Sequence, residues 1–239
     1  MLPWLKLDTA PLPAGGEMRL MQRGGDFAIM VGRAELMNSR QSGSEEALAH
    51  LACARISNRK RPHILIGGLG MGFTLRAALA DLPPEARVTV AELVPAVVAW
   101  AGGPLAELYG TSLADPRVTI VEEDVARLIA EANGTYDAIL LDVDNGPDGL
   151  VAEDNEAIYA WRGLGAARRA LTAGGVLAIW SAAPDRAFAE RLRQSGFAVA
   201  EQKVRARSNG AGARHVIWLA TRSSGDQAAR PAPRRRVRR

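Results

Sequence analysis

Along residues 17–32 apolar and polar side chains alternate, EMRLMQR and then DFAIMVG, with Gly24-Gly25 between the two runs. A period of two broken by a glycine pair predicts a β-hairpin, because alternate strand side chains face opposite sides and glycine accepts the φ of a tight turn. The period then changes. SRQSGSEEALAHLACARI spaces its apolar residues as a helix does, and Ser42-x-x-Glu45 has the form of a capping box. From Pro62 onward short apolar runs alternate with helical patterns: HILIG and FTLRAALADL, RVTVAE and PAVVAWAGGPLAELYG, RVTIVEED and VARLIAEA. YDAILLD then precedes a long helix, EDNEAIYAWRGLGAARRAL, which Thr172-Ala173-Gly174-Gly175 is expected to end. GVLAIWS precedes DRAFAERLRQSG, and two final strands, FAVAEQKVRAR and ARHVIWLATR, are joined by the turn SNGAG.

Near-continuous apolar strands separated by helices belong to a parallel sheet covered on both faces. The closing strand–turn–strand adds one antiparallel strand. The pattern therefore predicts a doubly wound, mostly parallel seven-stranded α/β sheet. Its parts are an N-terminal β-hairpin segment (1–41), a Rossmann-like nucleoside-binding domain (42–222) and an Arg-rich tail (223–239).

Composition changes this picture little. The 239 residues are 48% hydrophobic and 23% charged, and no apolar stretch is long enough for a membrane span. The start of the chain lacks the basic-then-apolar pattern of a secretory signal, and Cys53 is the only cysteine, so a reducing cytoplasm is the expected compartment. The formal charge of +4 is misleading, because RPAPRRRVRR at 230–239 holds six arginines and no acid. Residues 1–229 keep 24 basic against 26 acidic residues, a net charge of −2. The tail is expected to be a disordered extension able to touch an acidic partner, and the folded part gives no footing for nucleic acid.

In an open parallel sheet ligands bind at the carboxyl ends of the strands. Those ends carry Gly68-x-Gly70-Met71-Gly72, then Glu92-Leu93, then Asp124-Val125, then Asp142-Val-Asp144-Asn145. The turn is Gly-x-Gly-x-Gly, with Phe73 where a dinucleotide fingerprint would place its last glycine. Glu92 stands 20 residues beyond Gly72, where a carboxylate can accept hydrogen bonds from both ribose hydroxyls, and Asp124 can accept from an adenine amino group. Each of these acids taken alone is equally a helix N-cap. As an ordered set they describe a nucleoside pocket.

These residues resemble the spermidine synthase (aminopropyltransferase) branch of the class I S-adenosylmethionine-dependent methyltransferase fold. The resemblance is carried by GGLGMGFTLR, VAELVPAVV, DPRVTIVEED, YDAILLDVDNGP and LMNSRQSGSEEALAH, and it spans about residues 17–221. It implies S-adenosylmethionine or its decarboxylated form as co-substrate, a homodimer, ribose on Glu92, adenine on Asp124, and Asp142 as the acid at the reaction centre with Asp144 as its helper. Arg40, Glu45, Asn145 and Trp180 are the acceptor-side candidates. There are departures. Met71 stands where the family's glycine turn has an aspartate, Arg40, Gln41 and Ser44 replace Asp, Glu and Tyr, and Glu35 replaces a glutamine. A diamine needs carboxylates at both ends, so these changes argue against putrescine as the acceptor. Arg40 either answers a carboxylate on a ligand or is a solvated arginine pairing with Glu45 or Glu46.

Three readings follow: alkyl transfer from an adenosyl sulfonium to a small-molecule amine, methyl transfer from intact S-adenosylmethionine, or a nucleoside-binding module without catalysis. DVDNGPDGLVAE lacks the ligands of a calcium loop, and His50, His63 and His215 have no partners at zinc spacing, so no metal is expected. Cys53, His63, Tyr159 and Trp161 are assigned to packing.

Overall fold

A computed structural model describes residues 2–13, 15–142 and 157–223. Gly24, at φ 61°, turns the expected hairpin between β2 (Glu17–Arg23) and β3 (Asp26–Val31). The hairpin is the middle of something larger. β1 (Leu5–Pro11) and β4 (Ala34–Asn38) flank it in an antiparallel four-stranded sheet of order β1-β2-β3-β4. Both flanking strands are sheet edges and mostly exposed, so they lack the clean alternation that marks a half-buried strand. The inner face of the hairpin, Met18, Leu20, Phe27 and Ile29, is buried.

Helix α1 (Gly43–Arg55) follows, and it corrects one expectation. Ser42 is its N-cap, yet its side chain makes no capping hydrogen bond. The Glu45 carboxylate accepts from the Ser44 hydroxyl instead, at 2.7 Å, so the capping box is not formed. The helix start is held from outside: the Gly43 N–H donates to the Ala206 carbonyl at 3.0 Å, and a Cβ on Gly43 would lie 2.4 Å from the Arg207 carbonyl carbon.

The second sheet has seven strands. They are β5 (His63–Gly67), β6 (Arg87–Ala91), β7 (Val118–Val121), β8 (Tyr136–Leu141), β9 (Leu171–Ser181), β10 (Phe197–Arg205) and β11 (Arg214–Arg222). Their order is β10-β11-β9-β8-β5-β6-β7, with β5 to β9 parallel and β11 antiparallel to both its neighbours. The connecting helices are α2 (Phe73–Asp81), α3 (Pro95–Gly102), α4 (Ala106–Tyr109), α5 (Val125–Glu131), α6 (Trp161–Ala170) and α7 (Arg186–Gln194). Three boundaries differ from expectation. The long helix expected over EDNEAIYAWRGLGAARRAL is interrupted at Ala160, whose backbone is extended, so α6 begins only at Trp161. PAVVAWAGGPLAELYG is two helices, because the chain leaves helical φ/ψ at Gly103. Thr172 to Gly175 lie already inside β9, whose edge of the sheet reaches back to pair Leu171 with Tyr136.

The continuous apolar runs have a simple cause. In β5 and β8, Ile64, Ile66, Ala138 and Leu140 face one apolar layer, while Leu65, Ile139 and Leu141 face the other, so polar residues are confined to the amino ends, where Asp137 accepts from the His63 N–H. The first layer also takes in Leu20 and Ile29 of the N-terminal sheet with Leu48, Val97 and Trp100. The Trp100 indole N–H donates to Asp8 Oδ2 at 2.7 Å, tying β1 to α3. Cys53, His63 and Tyr159 sit within the packed structure, whereas Trp161, assigned to packing, is 53% exposed at the first turn of α6. Among the described residues no helix is long and apolar enough to cross a membrane.

Candidate active site

β5 is the point where the sheet's winding reverses, since the chain leaves it for β6 on one side and later returns to β8 on the other. Everything beyond its carboxyl end is arranged around the glycine turn. Gly68, Gly70 and Gly72 all have positive φ. The last is required twice over: φ is 78°, and a Cβ there would lie 2.4 Å from the Tyr109 ring. The Tyr109 hydroxyl donates to the Gly70 carbonyl at 2.7 Å, so α4 braces the turn from behind. Gly70 presents its open side to β4, where a Cβ would touch Met37 Cε at 2.7 Å.

Between this turn and the N-terminal sheet lies a cavity of about 420 Å³. Its walls come from both sheets. Leu12, Met18, Ile29, Leu36 and Met37 form an apolar side, and the strand ends of the larger sheet form a polar one. Of the sequence candidates, Gly68, Gly70, Glu45, Glu92, Leu93, Asp124, Val125, Asp142 and Trp180 all line it. Met71 does not: it is 1% exposed and packed in the apolar layer beneath the turn. Gly72 lies against Tyr109, outside the lining. Arg40 also lies outside, near Arg207, Ser208 and Asn209. Its guanidinium is 3.8 Å from Glu35, 3.9 Å from Asp26 and over the Trp4 ring, so its carboxylate neighbours are these two and not Glu45 or Glu46. Asp144 and Asn145 fall outside the described residues, as does 224–239 of the tail.

The carboxylates are held in distinct ways. Glu92 is 7% exposed and accepts from the Leu69 N–H at 2.9 Å and the Val94 N–H at 2.8 Å, fastening the glycine turn to the start of α3. Burial pushes its carboxyl above the usual range, against the pull of these N–H groups. Asp124 caps α5 through the Ala126 N–H at 2.8 Å while lining the cavity, so the capping and ligand-facing positions are one and the same. Asp142 accepts from the Thr74 hydroxyl at 2.7 Å. Burial raises Asp142 to about 6, with Thr74 pulling the other way. Burial also raises Glu45, to about 7, and the nearby Asp142 charge adds to it. Two carboxyls that oppose each other's ionisation share protons as a pair.

Several residues of the site are not among the sequence candidates, and Glu35 and Ser44 stand out in the sequence only as departures from the family pattern. Glu35 and Glu123 line the cavity, the first accepting from Asn38 Nδ2 at 2.7 Å and the second pairing with Arg127 at 2.8 Å. Thr74 looks like an ordinary helix residue. Ser44 is buried, and His215 reaches it from β11 at 3.0 Å, with its ring edge-on to Trp180 at 4.7 Å. Burial depresses the His215 imidazole. In all, six carboxylates line the cavity, namely Glu35, Glu45, Glu92, Glu123, Asp124 and Asp142. Among the described residues no lysine or arginine joins them.

No family model matches the sequence. The chain is 30% identical over 153 residues to polyamine aminopropyltransferase 1 of Streptomyces coelicolor, covering 60% of this chain and 28% of that protein. It is 29% identical over 123 residues to the polyamine aminopropyltransferase of Sulfurisphaera tokodaii, covering 52% of this chain and 40% of that one. The matches thus span less than half the length of these curated relatives. Among solved structures, spermidine synthase from Thermotoga maritima superposes with a TM-score of 0.73 at 16% identity, over 91% of this chain and 73% of that one. A Burkholderia thailandensis 1,6-didemethyltoxoflavin-N1-methyltransferase, solved with S-adenosylhomocysteine, superposes at 0.52 with 20% identity over 75% of this chain and 78% of that one. The fold is that of the class I methyltransferases, with a four-stranded N-terminal sheet added.

Proposed function

We propose that this chain transfers an aminopropyl-type group from decarboxylated S-adenosylmethionine to an amine acceptor bound in the two-sheet cavity. One observation carries the reading: among the described residues, six carboxylates face the cavity and no lysine or arginine does. Such a wall attracts a sulfonium, a donor ammonium and an acceptor ammonium. The carboxylate of intact S-adenosylmethionine would enter among acids without a basic partner, which is costly in a part-buried site. The similarity to polyamine aminopropyltransferases supports the same choice.

Glu92, with Leu93, holds the ribose side of the nucleoside, Asp124 and Val125 hold the adenine, and Gly68 to Gly72 let the backbone approach. Asp142 and Glu45 face the reacting end. The acceptor arrives as an ammonium and loses one proton to a carboxylate. Its nitrogen then forms a bond to the carbon attached to sulfur. The carbon–sulfur bond breaks with its electron pair returning to sulfur, leaving a neutral thioether nucleoside and an alkylated ammonium. Because the sulfonium is already a good leaving group, alignment and proton removal are the protein's tasks. Arg40 contributes by holding Glu35. With Met71 in the apolar layer, the donor's ammonium rests on Glu35 rather than on an acid of the glycine turn. Putrescine is not the expected acceptor. A homodimer, an acidic partner for the tail and a cytoplasmic site of action belong to the same proposal.

Calorimetric titration with intact and decarboxylated S-adenosylmethionine, side by side, tests the reading. At least tenfold tighter binding of the decarboxylated form is expected, with turnover then sought among linear diamines by mass spectrometry. Preference for the intact form overturns aminopropyl transfer and makes methyl transfer the leading account.

A further inference from the structure

Ser44 is 1% exposed and has two partners. Its hydroxyl donates to Glu45 Oε2 at 2.7 Å, and its oxygen lies 3.0 Å from His215 Nδ1. A serine has one proton to give. With that proton on Glu45, Ser44 Oγ can only accept from His215, which fixes the neutral imidazole as its Nδ1–H tautomer. The two bonds join an acid on α1 to a histidine on β11, two elements 171 residues apart at Ser44 and His215. Glu45 and His215 both line the cavity.

We propose that Glu45, Ser44 and His215 form a proton relay that carries the acceptor ammonium's proton away from the reacting carboxylates. The proposal rests on the alkyl-transfer reading and extends it to a histidine that reaches Glu45 through Ser44. Glu45 takes the proton from the ammonium and becomes a neutral acid. Neutral His215 changes tautomer by exchange with solvent water, which supplies a proton to Nε2 and takes the one from Nδ1, and the Ser44 hydroxyl rotates to accept from the Glu45 acid and donate to the bare Nδ1. One proton passes from Glu45 to Ser44 as the Ser44 proton passes to Nδ1. Glu45 is again a carboxylate, and His215 is an imidazolium that releases its Nε2 proton. No oxidant or further reactant is needed.

The surroundings suit this role. His215 is depressed by burial, so the imidazolium is short-lived and returns its proton readily. Glu45 is raised into the range where it gains and loses a proton near neutrality. The carboxylate linked to the imidazole is Glu45 on α1, through Ser44; on β10, Lys203 and Arg205 flank its cross-strand partner Val204 and so stand on the other face of the sheet. Trp180 holds the ring edge-on from β9. His215 is thus a positioning residue acting through Ser44.

Two measurements on the full chain test the relay. The first is NMR titration of ¹⁵N-labelled histidines in the wild type, Ser44→Ala and Glu45→Gln. The Nδ1–H tautomer is expected for neutral His215 in the wild type, a shift toward Nε2–H in Ser44→Ala, and a titration midpoint lower by at least half a pH unit in Glu45→Gln. An identical tautomer and midpoint in all three would overturn the proposal. The second is single-turnover rate against pH with decarboxylated S-adenosylmethionine and whichever linear diamine reacts. His215→Gln can still donate to Ser44 but carries no proton. About a tenfold slower step below pH 7 is expected, at the lower end of general acid–base contributions, with donor affinity within twofold of wild type. Superposable profiles would sink the relay and leave alkyl transfer standing. If no donor binds, the alkyl-transfer reading fails while the titration still decides the linkage.

Discussion

The Thr74 hydroxyl, in the first turn of α2, donates to Asp142 Oδ2 at the end of β8 across 2.7 Å. It is the hydrogen bond that lowers the Asp142 carboxyl while burial raises it. A hydrogen bond to a charged group contributes about 1.5–3 kcal/mol, so its loss moves a carboxyl by roughly one unit or more.

Thr74→Val keeps the shape and removes the donor. Asp142 then protonates at higher pH, and a reaction needing its carboxylate loses its acid limb earlier. The midpoint of the acid limb of kcat/KM should move upward by about one pH unit, with the alkaline side unchanged. An unmoved limb would show that Asp142 does not govern the rate.

The raised Glu45 also sets a dependence of stability on pH. Its folded pKa, about 7, lies above the ordinary 4.5, so the folded state binds a proton that the unfolded state releases. The resulting stability is full below about pH 4.5 and is lost as pH rises through about 7. Glu45→Gln should be more stable than wild type at pH 8 by about 1 kcal/mol or more, and the advantage should vanish by pH 4.5. Urea denaturation of both proteins at the two pH values checks this.

Gly72→Ala places a methyl group 2.4 Å from the Tyr109 ring at a φ of 78°. Neither the ring nor the backbone can yield without opening the turn, and a loss of about 3 kcal/mol or more is expected. Tyr109→Phe removes only the hydroxyl bonded to the Gly70 carbonyl and should cost about 1 kcal/mol. Thermal denaturation ranks the two.

Glu92→Gln turns one oxygen into an N–H donor where both oxygens now accept from the Leu69 and Val94 N–H groups. One backbone donor is left unpaired, at about 1–3 kcal/mol. Adenosine titrated by calorimetry should bind at least tenfold more weakly. Unchanged affinity would remove Glu92 from the ribose site.

The strand ends were legible in the sequence because a parallel sheet exposes few polar residues, and those at the carboxyl ends stand out against apolar strands. Glu92, Asp124 and Asp142 were found this way, and all line one cavity. His215 was not. It sits in the alternating run ARHVIWLATR like any strand histidine, and only the placement of β11 against β9 brings it to Ser44. Glu45 was read both as half of a capping box and as an acceptor-side acid. The local pattern Ser42-x-x-Glu45 does not reveal that the carboxylate instead accepts from the hydroxyl of the preceding residue, Ser44. β1 and β4 escaped notice because edge strands bury too little to impose a period.

Among the described residues, the two sheets that enclose the cavity share no ladder of hydrogen bonds. The proposed nucleoside grip belongs to strand ends whose backbone is fixed by the parallel sheet, and the opposite wall, from Leu12 to Asn38, belongs to a separately paired unit. Such a wall is an exchangeable faceplate. Its cavity-facing side chains can be altered without touching the strand ends proposed to grip adenosine, while Leu20, Ile29 and the Asp8–Trp100 bond keep the unit seated on the larger sheet. Diversification of acceptor choice would therefore be written first in residues 12–38.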